Sequence, residues 1–351
     1  MTSAAWPTGT APSWRWGGYS DPFSSASVIL TSRDGINWTA RASGTSNALY
    51  SVAYGNGLFV AVGVKGTILT SPDGVSWTER TSETDNHLFG VTYGNGTFVA
   101  VGKGGTILTS TDGINWTARA SGTSNALSGV AYGNGTFVAV GSYPDPFFSA
   151  SVILTSPDGA SWTERTSGTS NALYGVAYGN GTFVAVGKDG TILTSPDGAS
   201  WTQRTSGGND LRGVAYGNGT FVAVGAKGTI LTSTDGASWT QRTSGTSNAL
   251  YGVAYGNGLF VAVGERGAIL TSPDGVSWTQ RTSGTDNPLN GVAYGNGLFV
   301  AVGDFGTILT SRDGVSWTKR TLETGGYLYG VAYGNGRFVA VGGGGTILTS
   351  P

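Results

Sequence analysis

Residues 175–207 read "GVAYGNGTFVAVGKDGTILTSPDGASWTQRTSG", and this stretch decides the fold because the chain copies it from end to end. "GVAYG" and "TFVAVG" flank Asn180-Gly181, the dipeptide best suited to a two-residue hairpin turn with positive φ at both positions. "TILTS" and "SWTQRT" flank Pro196-Asp197-Gly198, a second tight turn with glycine at its left-handed position. Links such as "GKDG" are too short for anything but a direct return. Strands joined this tightly run antiparallel, which argues against a parallel β-helix. The unit is a four-stranded meander, and runs such as "FVAV" suit strands buried on both faces.

The unit's tryptophan recurs at Trp38, Trp77, Trp116, Trp162, Trp201, Trp239, Trp278 and Trp317. The spacing is broken once, between Trp116 and Trp162, where "SYPDPFFSAS" (142–151) is inserted. A meander repeated about every 40 residues is a propeller blade, so the expected fold is all-β, a single closed β-propeller of four-stranded antiparallel blades.

"TSPDGASWT" (194–202) resembles the Asp-box of the BNR-type propellers, a family that includes sialidases and photosystem assembly factors. The resemblance covers every unit and implies that the motif joins a blade's third strand to its fourth. The separation of Asp and Trp is one residue shorter than in the usual box. The unit also resembles those of highly repetitive bacterial propellers, a look that designed or consensus-derived chains share.

Only 11% of the 351 residues are charged and 61 are glycine. Such a composition alone suits disorder, but the fixed period of aromatic and aliphatic residues requires a packed array. A net charge of −1 without a basic run argues against nucleic acid or an anionic membrane as partner. Without cysteine there is no disulfide frame, thiolate nucleophile or thiolate metal site. "MTSAAWPTGTAPSW" (1–14) lacks the segments of a signal peptide, and no apolar run reaches membrane-spanning length. A soluble monomer of unassigned compartment is expected.

Counting copies favours nine blades, with eight as the alternative. "ILTS" occurs nine times, "YGNG" and "FVAVG" eight times each. A shift of 124 positions lays residues 2–42 on the interrupted unit, with Asp21-Pro22 on Asp145-Pro146 and Trp38 on Trp162. The expected blades are 2–44, 49–83, 88–122, 127–168, 173–207, 211–245, 250–284, 289–323 and 328–351, the last without its own outer strand unless "AAWPT" (4–8) supplies it.

In a propeller the loops between strands two and three share a face with the links between blades; the Asn-Gly and Asp-Gly turns lie on the other. The turns hardly vary between units. Variation gathers on the loop face, at pairs such as Lys188-Asp189 and Asp304-Phe305, and at Tyr50, Phe89, Ser128, Tyr174, Arg212, Tyr251, Asn290 and Tyr329 entering the inner strands. Both insertions belong to that face, carrying Tyr19, Asp21 and Phe23 and Tyr143, Asp145, Phe147 and Phe148. Together with Asp189, Arg212, Asp304 and Phe305, these are the candidate ligand-binding residues. The competing explanation is that the inserted aromatics merely cover their own blades.

Chemistry is sparse. His87 is the single histidine, and no metalloprotease motif or nucleophile elbow is present. Asp34, Asp73, Asp112, Asp158, Asp197, Asp235, Asp274 and Asp313 occupy the same turn in successive units, where each is expected to bind backbone amides. One carboxylate per turn is too few for calcium, and no metal or cofactor is expected. The arginines that a sialidase converges on its substrate have no counterpart, since Arg41, Arg80 and their equivalents lie in "TxRT" on the outer strand. The repeated Trp follows the turn and reads as packing, although sugar stacking is the alternative. The expected function is a non-enzymatic binding scaffold with a carbohydrate or other polar small molecule at the channel mouth. A protein-interaction or purely structural platform is the alternative, and a degenerate glycoside hydrolase the weaker one.

Overall fold

Asn56 and Gly57 take φ of 47° and 77°, and the same pair of positive values recurs at each Tyr-Gly-Asn-Gly, so the first hairpin of every unit is set by its turn. The computed structural model describes residues 27–142, 150–204, 208–320 and 325–343. These form eight four-stranded antiparallel sheets. In blade 1, Leu49–Gly55 is innermost, followed outward by Leu58–Gly63, Ile68–Ser71 and Thr78–Arg80. Blades 2 to 7 repeat this order, with inner strands starting at Leu88, Ala126, Leu173, Leu211, Leu250 and Leu289.

The ring closes on eight blades, which corrects the expectation of nine. Blade 8 takes its inner strands from Tyr327–Gly334 and Arg337–Gly343, and its outer strands from Ser27–Ser32 and Thr39–Arg41. Ser27–Ser32 pairs continuously with the C-terminal hairpin, from Ser27 opposite Gly343 to Ser32 opposite Phe338. In blade 1 the equivalent pairing is shorter, from Phe59 opposite Ser71 to Val62 opposite Ile68. Trp38 then lies 6.4 Å from Phe338, the spacing of Phe98 and Trp116 within blade 2. The third-strand sequence stands at both ends, as "VILTS" (28–32) and "TILTS" (346–350), and blade 8 has one slot for it. The N-terminal copy occupies that slot, so the first and last sequence units share a blade. The rest of those units, 1–26 and 344–351, lies outside the described residues.

Apolar clusters fill all eight interfaces between neighbouring blades. Leu30, Leu298, Val300 and Phe338 join blades 7 and 8; Ile29, Leu49, Phe59 and Val339 join blades 8 and 1. Burial on both faces is why the second strands are apolar at consecutive positions. Their phenylalanines, from Phe59 to Phe338, are all essentially inaccessible. Gly55 shows how closely blades approach: a Cβ there would lie 2.1 Å from the Tyr93 ring of blade 2. Farther out, the Trp201 indole donates to the Gly198 carbonyl at 2.7 Å, and Arg80 Nε donates to Thr70 Oγ1 at 2.8 Å. Trp and Arg are thus held within the blade in unit after unit. No helix among the described residues is long and apolar enough to cross a membrane.

Candidate functional site at the channel mouth

On the turn face the recurring Asp is consumed by its own turn. Asp73 Oδ1 accepts from Ser71 Oγ at 3.0 Å and from the Val75 and Ser76 amides at 2.8 and 3.0 Å. The other seven turns repeat the arrangement, and these hydrogen bonds hold each carboxyl below its usual range, Asp235 and Asp313 at about 2. Among the described residues no group of three or more His, Asp or Glu is placed to hold a metal.

The loop face is built differently. Every inner strand carries a β-bulge near its start: in blade 1, Leu49 pairs with Gly63 and Ser51 with Val62, leaving Tyr50 unpaired. The same shift places Phe89, Ser128, Tyr174, Arg212, Tyr251, Asn290 and Tyr329 on the bulges of the other blades. A bulge re-aims one side chain without disturbing the ladder beyond it. The eight positions that vary between units are therefore the eight that the backbone presents around the mouth.

Their neighbours divide the mouth into two arcs. On one side Tyr50 stacks on Phe89 with centroids 6.2 Å apart and meets Tyr329 edge-on at 5.9 Å. Tyr327 lies parallel to Tyr329 at 6.5 Å, and Phe305 lies 5.6 Å from Tyr327. The aromatic arc thus runs across blades 7, 8, 1 and 2. The polar arc covers blades 4 to 7. Arg212 sits 5.4 Å from the Tyr251 ring, with its Nε buried and without a hydrogen-bond partner. Tyr251 Oη donates to Glu265 at 2.9 Å, and Asn290 Nδ2 donates to Asp304 at 2.8 Å and to the Leu328 carbonyl at 2.9 Å. Burial, followed by the nearby Asp210, pushes the Tyr174 phenol up.

The loops between strands two and three add a strained rim. Their tip residues adopt left-handed backbone: Lys65, Asp189, Lys227, Arg266 and Phe305 have φ from 51° to 55°, and among the described loops of this kind blade 2 places glycine there, at Gly104. The Asp189 amide donates to Asp210 at 2.9 Å, and the Lys65 amide to His87 Nδ1 at 3.0 Å. His87, the single histidine, is thus an acceptor joining blades 1 and 2; burial, then Lys103 and Lys65, lowers its pKa. Phe305 departs furthest from ordinary preference, a bulky left-handed residue with 57% of its surface exposed.

Of the expected site residues, Asp189, Arg212, Asp304 and Phe305 all lie on this face, Asp189 and Arg212 in the polar arc and Phe305 at the end of the aromatic one. Tyr19, Asp21, Phe23, Tyr143, Asp145, Phe147 and Phe148 lie outside the described residues. Tyr50, Phe89, Tyr251, Asn290, Tyr329, Tyr327 and Glu265 make the contacts between them on this face, and variation between units marks most of these positions. A recess of about 580 Å³ lined by Gln241, Thr243, Val276, Trp278 and Gln280 lies between the outer strands of blades 5 and 6, away from the mouth.

Residues 19–127 match the family model of the DUF6242 beta propeller domain. No curated protein matches the chain. Among solved structures, the computationally designed Ika8 protein aligns with a TM-score of 0.69 at 14% identity, over 86% of this chain and 95% of Ika8. YCF48 bound to D1 peptide aligns at 0.56 and 16% identity, over 95% and 96% of the two chains. The C-terminal WD40 domain of Sif2 aligns at 0.61 and 9% identity, over 84% and 96%. These likenesses concern the fold: a β-propeller with repetitive blades.

Proposed function

We propose that the protein is a non-enzymatic binding scaffold whose ligand docks at the loop-face mouth of the channel. The observation that carries this reading is Phe305. A bulky side chain on left-handed backbone, held out to solvent at the end of an aromatic arc, is unfavourable for folding in two ways, and the Gly104 tip shows that the loop forms without it. Strain of that kind is the mark of a displayed side chain. The ligand class that suits the two arcs is a carbohydrate or another polar small molecule, with one face on the rings and its hydroxyls toward Arg212, Glu265 and the Asn290–Asp304 pair. The Asp–Trp turns, by which the chain resembles Asp-box propellers, serve only to brace the blades.

A peptide is the second reading, favoured by the span of the aromatic arc over four blades and by the peptide-bound YCF48 among the similar folds. A glycan array with the intact protein beside Phe305→Gly tests the first reading. A glycan retained by the wild type and lost by the variant supports it. A blank array, followed by Phe305-dependent retention on a peptide array, replaces it with the second.

A further inference from the structure

On the turn face one position departs from the monotony of the repeats. The residue after the Asn-Gly turn is Leu58, Thr97, Thr136, Thr182, Thr220, Leu259 and Leu298 in blades 1 to 7, but Arg337 in blade 8. Its side chain is 7% exposed. It packs against the Asp-turn of blade 1, where a Cβ on Gly74 would lie 2.8 Å from Arg337 Cδ, and Asn335 Nδ2 donates to the Pro72 carbonyl of that turn at 3.3 Å. The pairing of Phe338 with Ser32 sets Arg337 across from Arg33. Arg41, whose Nε donates to Thr31 Oγ1, is the third guanidinium of the group.

Asp73 opposes this gathering of charge but is outnumbered by Arg33 and Arg41. No ion pair or hydrogen bond joins the Arg337 guanidinium to another described residue. The acid facing it, Asp73, has its Oδ1 committed to Ser71, Val75 and Ser76. Burial and the two neighbouring arginines weaken the hold of Arg337 on its proton, with Asp73 opposing them. The stem of Arg337 is covered while its guanidinium nitrogens, which are not among the fully buried atoms, reach solvent beside two other arginines, where leucine at the same position serves blades 1, 6 and 7. Blade 7 repeats half of the arrangement, with Arg312 at the turn but Leu298 beneath it.

We infer that the cleft between blades 8 and 1 on the turn face is an oxyanion site, in which Arg337 and Arg33 bind a phosphate- or sulfate-type group. Planar guanidinium forks suit such a group, which supplies the acceptors and the negative charge that the fold omits. The site lies on the face opposite the mouth and is independent of what binds there.

The test is titration of the full chain with inorganic phosphate at neutral pH against chloride of matched ionic strength, followed by 31P NMR and by melting temperature. The wild type is expected to bind and to melt higher in phosphate. Arg337→Leu is expected to bind roughly tenfold or more weakly, the size expected for a lost charge-assisted hydrogen bond, and to melt no lower than the wild type in chloride. Arg33→Pro, which installs the residue found at Pro72 and Pro157, is the second variant should Arg337→Leu fail to fold. Tighter binding of O-phosphoserine than of phosphate identifies an esterified group as the ligand, and the reverse identifies the free ion. Phosphate binding that is absent from the wild type, or unchanged in both variants, overturns the inference.

Discussion

Truncating Leu30 to alanine tests the closure of the ring, because the same residue exists twice in sequence and once in the slot. Leu30 is fully buried among Leu298, Val300, Leu328, Phe338 and Ala340. Leu30→Ala removes three carbons worth about 0.8 kcal/mol each by transfer, or about 2.4 kcal/mol together. The cavity sits between two paired sheets that have little freedom to collapse, which raises the cost to about 3–5 kcal/mol. For a chain of this size that is a fall of several degrees in melting temperature. Leu348→Ala, the equivalent change in the C-terminal "ILTS", is expected to cost much less than Leu30→Ala, because Ser27–Ser32 fills the third-strand slot of blade 8. Thermal melts of the two variants, measured side by side by circular dichroism, are the assay. Equal destabilisation, or a loss at Leu348 with none at Leu30, would refute the eight-blade closure through Ser27–Ser32.

Phe305→Gly is expected to abolish retention of the ligand while leaving stability within about 1 kcal/mol of wild type, since relief of left-handed strain offsets the lost ring contact and the added freedom of glycine; equilibrium urea unfolding measures the second part. Asp197→Ala removes the acceptor of Ser195 Oγ and of the Ala199 and Ser200 amides, and is expected to cost about 1–2 kcal/mol, read as a shift in the urea midpoint. All eight turn carboxyls are depressed in the folded state, so their stabilisation is complete above the ordinary value of 3.8 and is lost as pH falls toward the folded values, about 2 for Asp235 and Asp313. Melting temperature is therefore expected to drop steeply between about pH 4 and pH 2, and less steeply in Asp197→Ala; a flat profile would contradict the turn assignment.

Most of the blade was legible because its signals are local. Asn-Gly between alternating strands dictates a hairpin at each occurrence, and the "FVAV" runs announced burial on both faces. Blade number was not legible, for a physical reason. Ser27–Ser32 and residues 346–350 carry the same third-strand sequence, and pairing energy between residues some 300 apart leaves no trace in a local pattern. Counting copies therefore overstated the ring by one. The mouth was half legible: variation at Tyr50 and its counterparts marked the positions that the bulges occupy. The bulge that turns them toward the mouth was hidden, because "LYSVAYG" reads as an uninterrupted strand. Arg337 was hidden as well, lying on the face whose turns scarcely vary.

The composite blade also governs how the ring assembles. Seven blades are made of consecutive residues and fold from contacts close in sequence, whereas the pairing of Ser27 with Gly343 must wait until both ends of the chain have met. Until that pairing forms the ring is open, with the Ile29 side of one edge and the Leu49 side of the other uncovered. By topology, formation of this seam is expected to be the slow step, which stopped-flow refolding of Leu30→Ala beside the wild type measures. Strengthening the seam lengthens the lifetime of the native ring more than an equal gain inside any single blade.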